Sequence, residues 1–417
     1  MLPEIKIVNF RKYSFLTALI CLFVYELAML ALSLTGVSFL KLALTGLVWV
    51  SFFIALYEYV NFHHYFKKSI PPLAYVNLTL LLIWNVFNVV RSIVNRDGAL
   101  TTMLGNVSAS LAILVPFTII FSMYLINLKV IHQYYFQVLK IGVLVFLAFL
   151  LFKGRNLSDP QMVSVILLFS PIPFLITSVP LQSNKNKLFV LVGILGLLGT
   201  GYLYSGRTAM IRVILLTMCL VGLFFMYRFK QKWLLPLSCL VLFLPFVLLK
   251  QSYETGESAL EKYLGNTSDD EYSVDTRTFL YKELYLDLVK NNKLIIGKGA
   301  NGSYFSEYFY SIDLGETHNR NNIEVGILGI LLKGGLIAVV LNLTLLLLAI
   351  YYCFFKSNNL YTIGIGYILM VHVILLFIEN FTIYSSYNVF LWFFIGVGIS
   401  KKFRDLSNEQ VRKLIRV

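Results

Sequence analysis

Residues 99–128 contain no Asp, Glu, Lys or Arg. A stretch that long outruns any buried strand and exceeds the ~20 apolar residues that cross about 30 Å of hydrocarbon. Comparable stretches recur along the 417-residue chain, which is 58% hydrophobic and 13% charged. Soluble domains carry roughly a quarter charged residues, so a water-soluble globule is excluded. The chain reads as an all-α polytopic membrane protein. Its four cysteines (Cys21, Cys219, Cys239 and Cys353) lie inside apolar segments without ligand-like spacing. They form neither a disulfide framework nor a zinc site, and no metal site is expected.

Hydropathy places twelve spans at 14–34, 38–60, 73–94, 104–128, 134–152, 161–179, 188–204, 209–227, 233–249, 323–355, 360–379 and 385–400. The tenth is too long for one simple crossing, and Lys333-Gly334-Gly335 is expected to separate a short leading helix from the crossing itself. The first span is too long for a signal-peptide core and lacks a small-residue cleavage site, so it is expected to stay in the mature chain. With the N-terminus inside, eighteen basic residues fall in inside connections and six in short outside ones. That bias puts both termini in the cytoplasm. The formal charge of +14 is therefore a topology signal and gives no reason to expect a nucleic-acid partner.

The chain is read as a single membrane-embedded domain, 1–417, with one long connection. Residues 250–322 form a polar outside loop with twelve acidic and eight basic residues. Loops of that length are usually functional or disordered. Within it, 276–290 places Leu280, Leu284 and Leu288 on one face, with Asp275 as N-cap. This predicts an amphipathic helix lying on the membrane surface or on the bundle. No internal repeat is visible, and no long cytosolic link follows span six, which argues against a transporter of two matched halves.

Three outside clusters carry candidate chemistry. Tyr204-Ser205-Gly206-Arg207-Thr208, with Arg212 following, stands at the corner of spans seven and eight. It suits an anion at a helix N-terminus; a lone arginine there also snorkels to headgroups. Asp275-Thr276-Arg277 opens the loop helix and leads to Gly297-Lys298-Gly299. Those glycines are either a simple turn or a loop whose amides face a phosphate. Glu316-Thr317-His318-Asn319-Arg320, followed by Glu324, precedes span ten. His318 is a candidate base or a helix cap. Glu379, at the outer end of span eleven, is a weaker candidate.

Taken in order, these motifs resemble the O-antigen polymerase/O-antigen ligase superfamily. The matching residues are Tyr204-Ser205-Gly206-Arg207-Thr208, Arg277 through Leu294-Ile295-Ile296-Gly297-Lys298-Gly299, His318-Asn319, and Gly334-Gly335-Leu336-Ile337. They cover about residues 188–345. The resemblance implies a metal-independent, cofactor-free glycosyltransferase in the bacterial inner membrane, acting at the periplasmic face on undecaprenyl-diphosphate-linked oligosaccharides. Arg207, Arg277 and Arg320 would hold the diphosphate, with Arg212, Lys298, Gly297, Gly299, Asn319, Glu324 and Glu379 in support. His318 matches the ligase-type histidine that would take the acceptor's proton.

The leading expectation is a polymerase of lipid-linked repeat units. It would use lipid-linked donor and acceptor, and a separate chain-length regulator is a candidate partner. The alternative in the same class is a ligase that transfers glycan to lipid A core. A lipid-linked-oligosaccharide flippase is the reading from another class, and it predicts mid-span cations and internal pseudo-symmetry, of which the sequence shows little.

Overall fold

The computed structural model describes residues 2–35, 38–94, 107–153, 171–203, 207–229, 278–306, 319–321, 323–380 and 383–415. Spans 233–249 and most of 161–179 lie outside the described residues, as do Arg277 and His318. The first three helices are α1 (Leu2–Thr35), α2 (Ser38–Ser69) and α3 (Pro72–Val94). Helix α3 displays the membrane logic plainly. Leu73, Val76, Leu80, Ile83, Phe87, Val90 and Val94 are exposed, whereas Asn77, Asn85, Asn88 and Ser92 are buried. An apolar outside and a polar inside suit a lipid solvent, because polar side chains in spans face the bundle interior.

After α3 comes the one-turn helix α4 (Val107–Ser110), which continues as a 3₁₀ helix over Leu111–Met123. An α-helical fourth span over 104–128 is thus corrected. Pro116 sits at the centre of the segment, where an α-helix would lose a hydrogen bond and clash with the preceding turn. Thr118 and Ser122 donate side-chain hydrogen bonds to Val115 O and Ile119 O, three residues back. Almost every residue of this segment is buried, packed against α2 and the later helix Ser386–Ile399.

One extended residue, Tyr124, separates the 3₁₀ helix from α5 (Leu125–Lys153). The fifth helix therefore begins well before the expected residue 134. There follow α6 (Ile172–Ile176), a short 3₁₀ turn at Val179–Leu181, α7 (Asn184–Leu203) and α8 (Arg207–Phe229). Beyond these, α9 (Thr278–Lys290) leads to a two-stranded antiparallel ribbon, β1 (Tyr304–Phe305) with β2 (Asn319–Arg320). The chain closes with α10 (Gly326–Phe355), α11 (Leu360–Leu376), α12 (Ser386–Ile399), α13 (Lys401–Arg404) and α14 (Asn408–Ile415).

Among the described residues, four helices are long and apolar enough to cross a membrane: 43–69, 72–94, 125–147 and 326–355. Five shorter apolar helices accompany them. The chain is a mostly helical membrane protein. Two acidic residues of the early helices, Glu26 and Glu58, are absorbed by the bundle. Glu58 is buried and accepts from Ser14 Oγ at 2.8 Å. Glu26 accepts from the backbone N–H and hydroxyl of Ser386 at 2.6 and 2.7 Å, which ties α1 to the start of α12. At the opposite end, α14 buries Val411 and Ile415 against the bundle. There the Asn359 side chain, which also caps α11, donates to Phe403 O and Leu406 O.

Helix α10 is broken at Gly335, whose φ is 67° and ψ −170°. That matches the expected interruption at Lys333-Gly334-Gly335. A break inside a span frees backbone groups that hydrocarbon cannot satisfy. Here the segment 294–299 satisfies them. Leu332 O and Lys333 O accept from Lys298 N (2.7 Å) and Gly299 N (2.9 Å), while Leu336 N and Ile337 N donate to Leu294 O (3.0 Å) and Ile295 O (3.3 Å). Trp84 Nε1 donates to Gly334 O at 2.8 Å.

This docking dictates a stability test. A Cβ on Gly297 (φ 67°) would meet Gly335 N at 2.5 Å and Lys333 O at 2.6 Å, whereas one on Gly46 in α2 would meet nothing within 4 Å. Gly297→Ala is expected to lower the thermal midpoint of the purified protein, at a cost of about 2 kcal/mol or more. Gly46→Ala should leave the midpoint unchanged or raised. Equal midpoints for Gly297→Ala and the unmodified protein would refute the docking.

Candidate functional site

The broken helix and the docked segment organise one end of the bundle. Helix α9 holds them from outside. Leu280, Leu284 and Leu288 are all buried and pack with Ile323, Ile327, Leu328 and Leu332, so the expected amphipathic helix lies on the bundle. Its other residues reach the loops. Tyr281 OH donates to Phe377 O at 2.7 Å, Glu283 accepts from Ser306 Oγ at 2.6 Å, and Asp287 pairs with Lys298 Nζ at 2.5 Å. Lys298 Nζ also donates to Ser303 O at 2.9 Å.

The amides of the Gly-x-Gly segment are committed to the protein itself. Gly297 N donates to Lys293 O at 2.7 Å, and Lys298 N and Gly299 N donate to the broken helix. A phosphate cradle built from these backbone N–H groups is therefore corrected to a docking turn. Gly297 and Gly299 both have positive φ and leave no room for side chains against Gly335 N and Ser92 Oγ.

Two cavities flank this turn. The inner one, about 60 Å³, has room for a few waters. Its polar lining comes from Asn85, Asn88, Lys333, Asn342, His372 and Asn388. Lys333 is buried, and its Nζ donates to Ala109 O at 2.6 Å. The second cavity, about 410 Å³, is lined by polar and cationic groups that include Arg91, Lys293 and Lys298. Arg91 Nη2 donates to Ile296 O (2.9 Å), Gly297 O (3.0 Å) and Asn88 Oδ1 (2.7 Å). Asn88, completely buried, also donates to Trp84 O at 2.9 Å. It lines the inner cavity and accepts from Arg91, which lines the second.

The remaining candidates fall into two further groups at this end. Arg212 forms an ion pair with Glu379, so the charge of each is offset by the other. Backbone pairing places Glu379 beside the start of α10, where Gly326 N donates to Glu379 O at 3.1 Å. Arg320 stands opposite Tyr304 in the β ribbon, and Asn319 opposite Phe305. Burial, with Glu283 and Glu324 nearby, pushes the Tyr304 phenol up to about 12 against the opposing pull of Arg320. Glu324 itself is exposed. The backbone of Arg207 opens α8, and its side chain lies outside the described residues.

The structure thus brings together Gly297, Lys298 and Gly299, brings together Arg212 and Glu379, and sets Arg320 near Glu324. Arg91 and Lys293 were not singled out from sequence, and Lys333 was named there only as part of the helix break. A signal for Arg91 existed: Asn77, Asn85, Asn88 and Ser92 form one polar stripe along a span, and Arg91 closes it. No local pattern marks Lys293. No protein-family model matches the chain, and no curated protein matches it in sequence.

The Arg212–Glu379 pair generates a charge-swap test. Both side chains are about three-quarters buried, so removing one partner strands the other charge. Glu379→Arg alone, like Arg212→Glu alone, should destabilise the protein by about 2 kcal/mol. The double swap should recover most of the lost thermal midpoint. Strictly additive losses in the double variant would show that the two side chains do not interact.

Proposed function

We propose that the chain is a polymerase of lipid-linked oligosaccharide repeat units, a twelve-span glycosyltransferase of the bacterial inner membrane with both termini cytoplasmic. At the periplasmic face, the growing glycan passes from its undecaprenyl diphosphate to the non-reducing sugar of a new lipid-linked repeat. The observation that carries this reading is the order of motifs: Ser205-Gly206-Arg207, then Arg277, then Gly297-Lys298-Gly299, then His318-Asn319. That order resembles the O-antigen polymerase and ligase superfamily.

In the proposed reaction the bond between the anomeric carbon and the diphosphate oxygen breaks, and the diphosphate leaves with the electron pair. The acceptor hydroxyl bonds to the anomeric carbon, and His318 takes its proton. Departure of a multiply charged leaving group is eased by several cations, since bidentate arginine contacts strengthen as charge develops. Arg207, Arg277 and Arg320 take that role, supported by Lys298. The cationic cavity and the Arg320 ribbon lie at one end of the bundle, which suits substrates arriving from one side of the membrane. A chain-length regulator would be the natural protein partner.

The same donor chemistry serves a ligase, and His318 favours that second reading. Deleting the gene separates the two, because single-repeat lipopolysaccharide marks a polymerase and core-only lipopolysaccharide a ligase. Incubation of the purified protein with lipid-linked repeat units should yield a ladder of longer products. Arg207→Ala and Arg277→Ala should each slow its formation by roughly 10²- to 10³-fold, and lysine at either position should rescue only in part, having lost the planar fork. Near-normal ladders from both alanine variants would overturn the assignment of those arginines, and no ladder from the unmodified protein would overturn the polymerase itself.

A further inference from the structure

The cavity between the end of α3 and the docked turn has a composition that the motif resemblance does not account for. Its charged lining is Arg91, Lys293 and Lys298, with Ser92 and Asn291 beside them, and no carboxylate lines it among the described residues. Lys298 is partly offset by Asp287. Among the described residues, the other two cations are not offset in this way. Arg91 spends Nη2 on neutral acceptors, the carbonyls of Ile296 and Gly297 and the amide of Asn88. Such acceptors satisfy N–H groups without cancelling charge. Its Nη1 is buried and has no hydrogen-bond partner among the described residues. Lys293 is half-buried and forms no ion pair among the described residues.

A buried guanidinium nitrogen without an acceptor is costly, and arginine on a span boundary is retained where it meets an anion or water. A cavity of about 410 Å³ is roomy enough for a phosphate or diphosphate group. Arginine presents a planar fork and lysine a mobile point charge, a combination suited to phosphate oxygens. The site is made from the end of one span and the turn that plugs another. An anion held there would therefore bridge α3 to the segment on which the helix break depends.

We propose that Arg91, Lys293 and Lys298 form a binding site for a phosphate-class anion, presented either as a lipid headgroup or as free phosphate or diphosphate. The site needs none of Arg207, Arg277 or Arg320 and holds whether or not the chain polymerises glycans. Because the anion binds the folded protein, it stabilises it by mass action.

The test uses the full-length protein in neutral detergent, titrated with inorganic pyrophosphate and with inorganic phosphate. In parallel, it is placed in nanodiscs of phosphatidylcholine with or without phosphatidylglycerol. Calorimetry and thermal midpoint are the readouts, with native mass spectrometry for retained lipid. Arg91→Gln removes contacts that hold the turn and is expected to unfold part of this end, so Lys293→Gln is the decisive variant. It should keep the unliganded midpoint while weakening anion binding about tenfold, the ordinary loss for one charge-assisted contact. Saturable pyrophosphate binding, weakened in Lys293→Gln, establishes the site with a soluble anion. Stabilisation only by phosphatidylglycerol, equally weakened, establishes it as a headgroup site. No binding of either source, or binding unchanged in Lys293→Gln, overturns the proposal.

Discussion

An α-helix that breaks inside a membrane must find new partners for the backbone groups on both sides of the break, because hydrocarbon offers none. In α10 the break falls at Gly335, and the carbonyls of Leu332, Lys333 and Gly334 and the amides of Leu336 and Ile337 find partners outside the helix. Four of these pair with the backbone of 294–299 and one with the indole of Trp84. Each unmet group would cost on the order of several kcal/mol in that environment. A loop that would otherwise be free to move is therefore fixed to the bundle by the same bonds that make the break tolerable.

Lys298, helix α9 and Arg91 are all tied to that docking. The turn carries Lys298, whose ammonium is pulled toward Asp287 of α9. Helix α9 in turn lies down because Leu280, Leu284 and Leu288 bury against the first half of α10. Arg91 reaches the turn from α3 and saturates its outward carbonyls. The left-handed glycines follow from the same crowding. Gly297 and Gly335 approach so closely that a side chain on either would overlap the other's backbone. What looks in sequence like a nucleotide-style glycine loop is a joint between two backbones.

Much of this was legible in the residues, and the limits have physical causes. Long uncharged stretches announced the membrane, and the leucine spacing at 280, 284 and 288 announced a helix with one buried face. Lys333-Gly334-Gly335 announced the break. These signals are local, because periodicity and glycine act within a few residues. The partner of the break could not be read, since Lys298 and Leu332, like Trp84 and Gly334, pair across segments that share no pattern. The same holds for Glu26, whose acceptor role depends on Ser386 at the other end of the chain. The 3₁₀ segment was missed because apolarity alone fixes burial and says nothing about pitch. Pro116 was the available warning.

The way each cation is satisfied decides what it offers to a substrate. Arg212 and Lys298 each face a carboxylate, Glu379 and Asp287 respectively, so each pair contributes little net field beyond its own contact distance. Lys333 and Arg91 are met by neutral oxygen acceptors, and a neutral acceptor satisfies hydrogen-bonding geometry while leaving the unit charge intact. Charge interactions in a low-dielectric surround are weakly screened, and these two basic side chains stand on either side of the docked turn. Breaking α10 at that point places Lys333 on the inner cavity and gives Arg91 carbonyls to hold. The backbone irregularity and the local excess of positive charge therefore have one origin, and an anion is the ligand that such an origin favours.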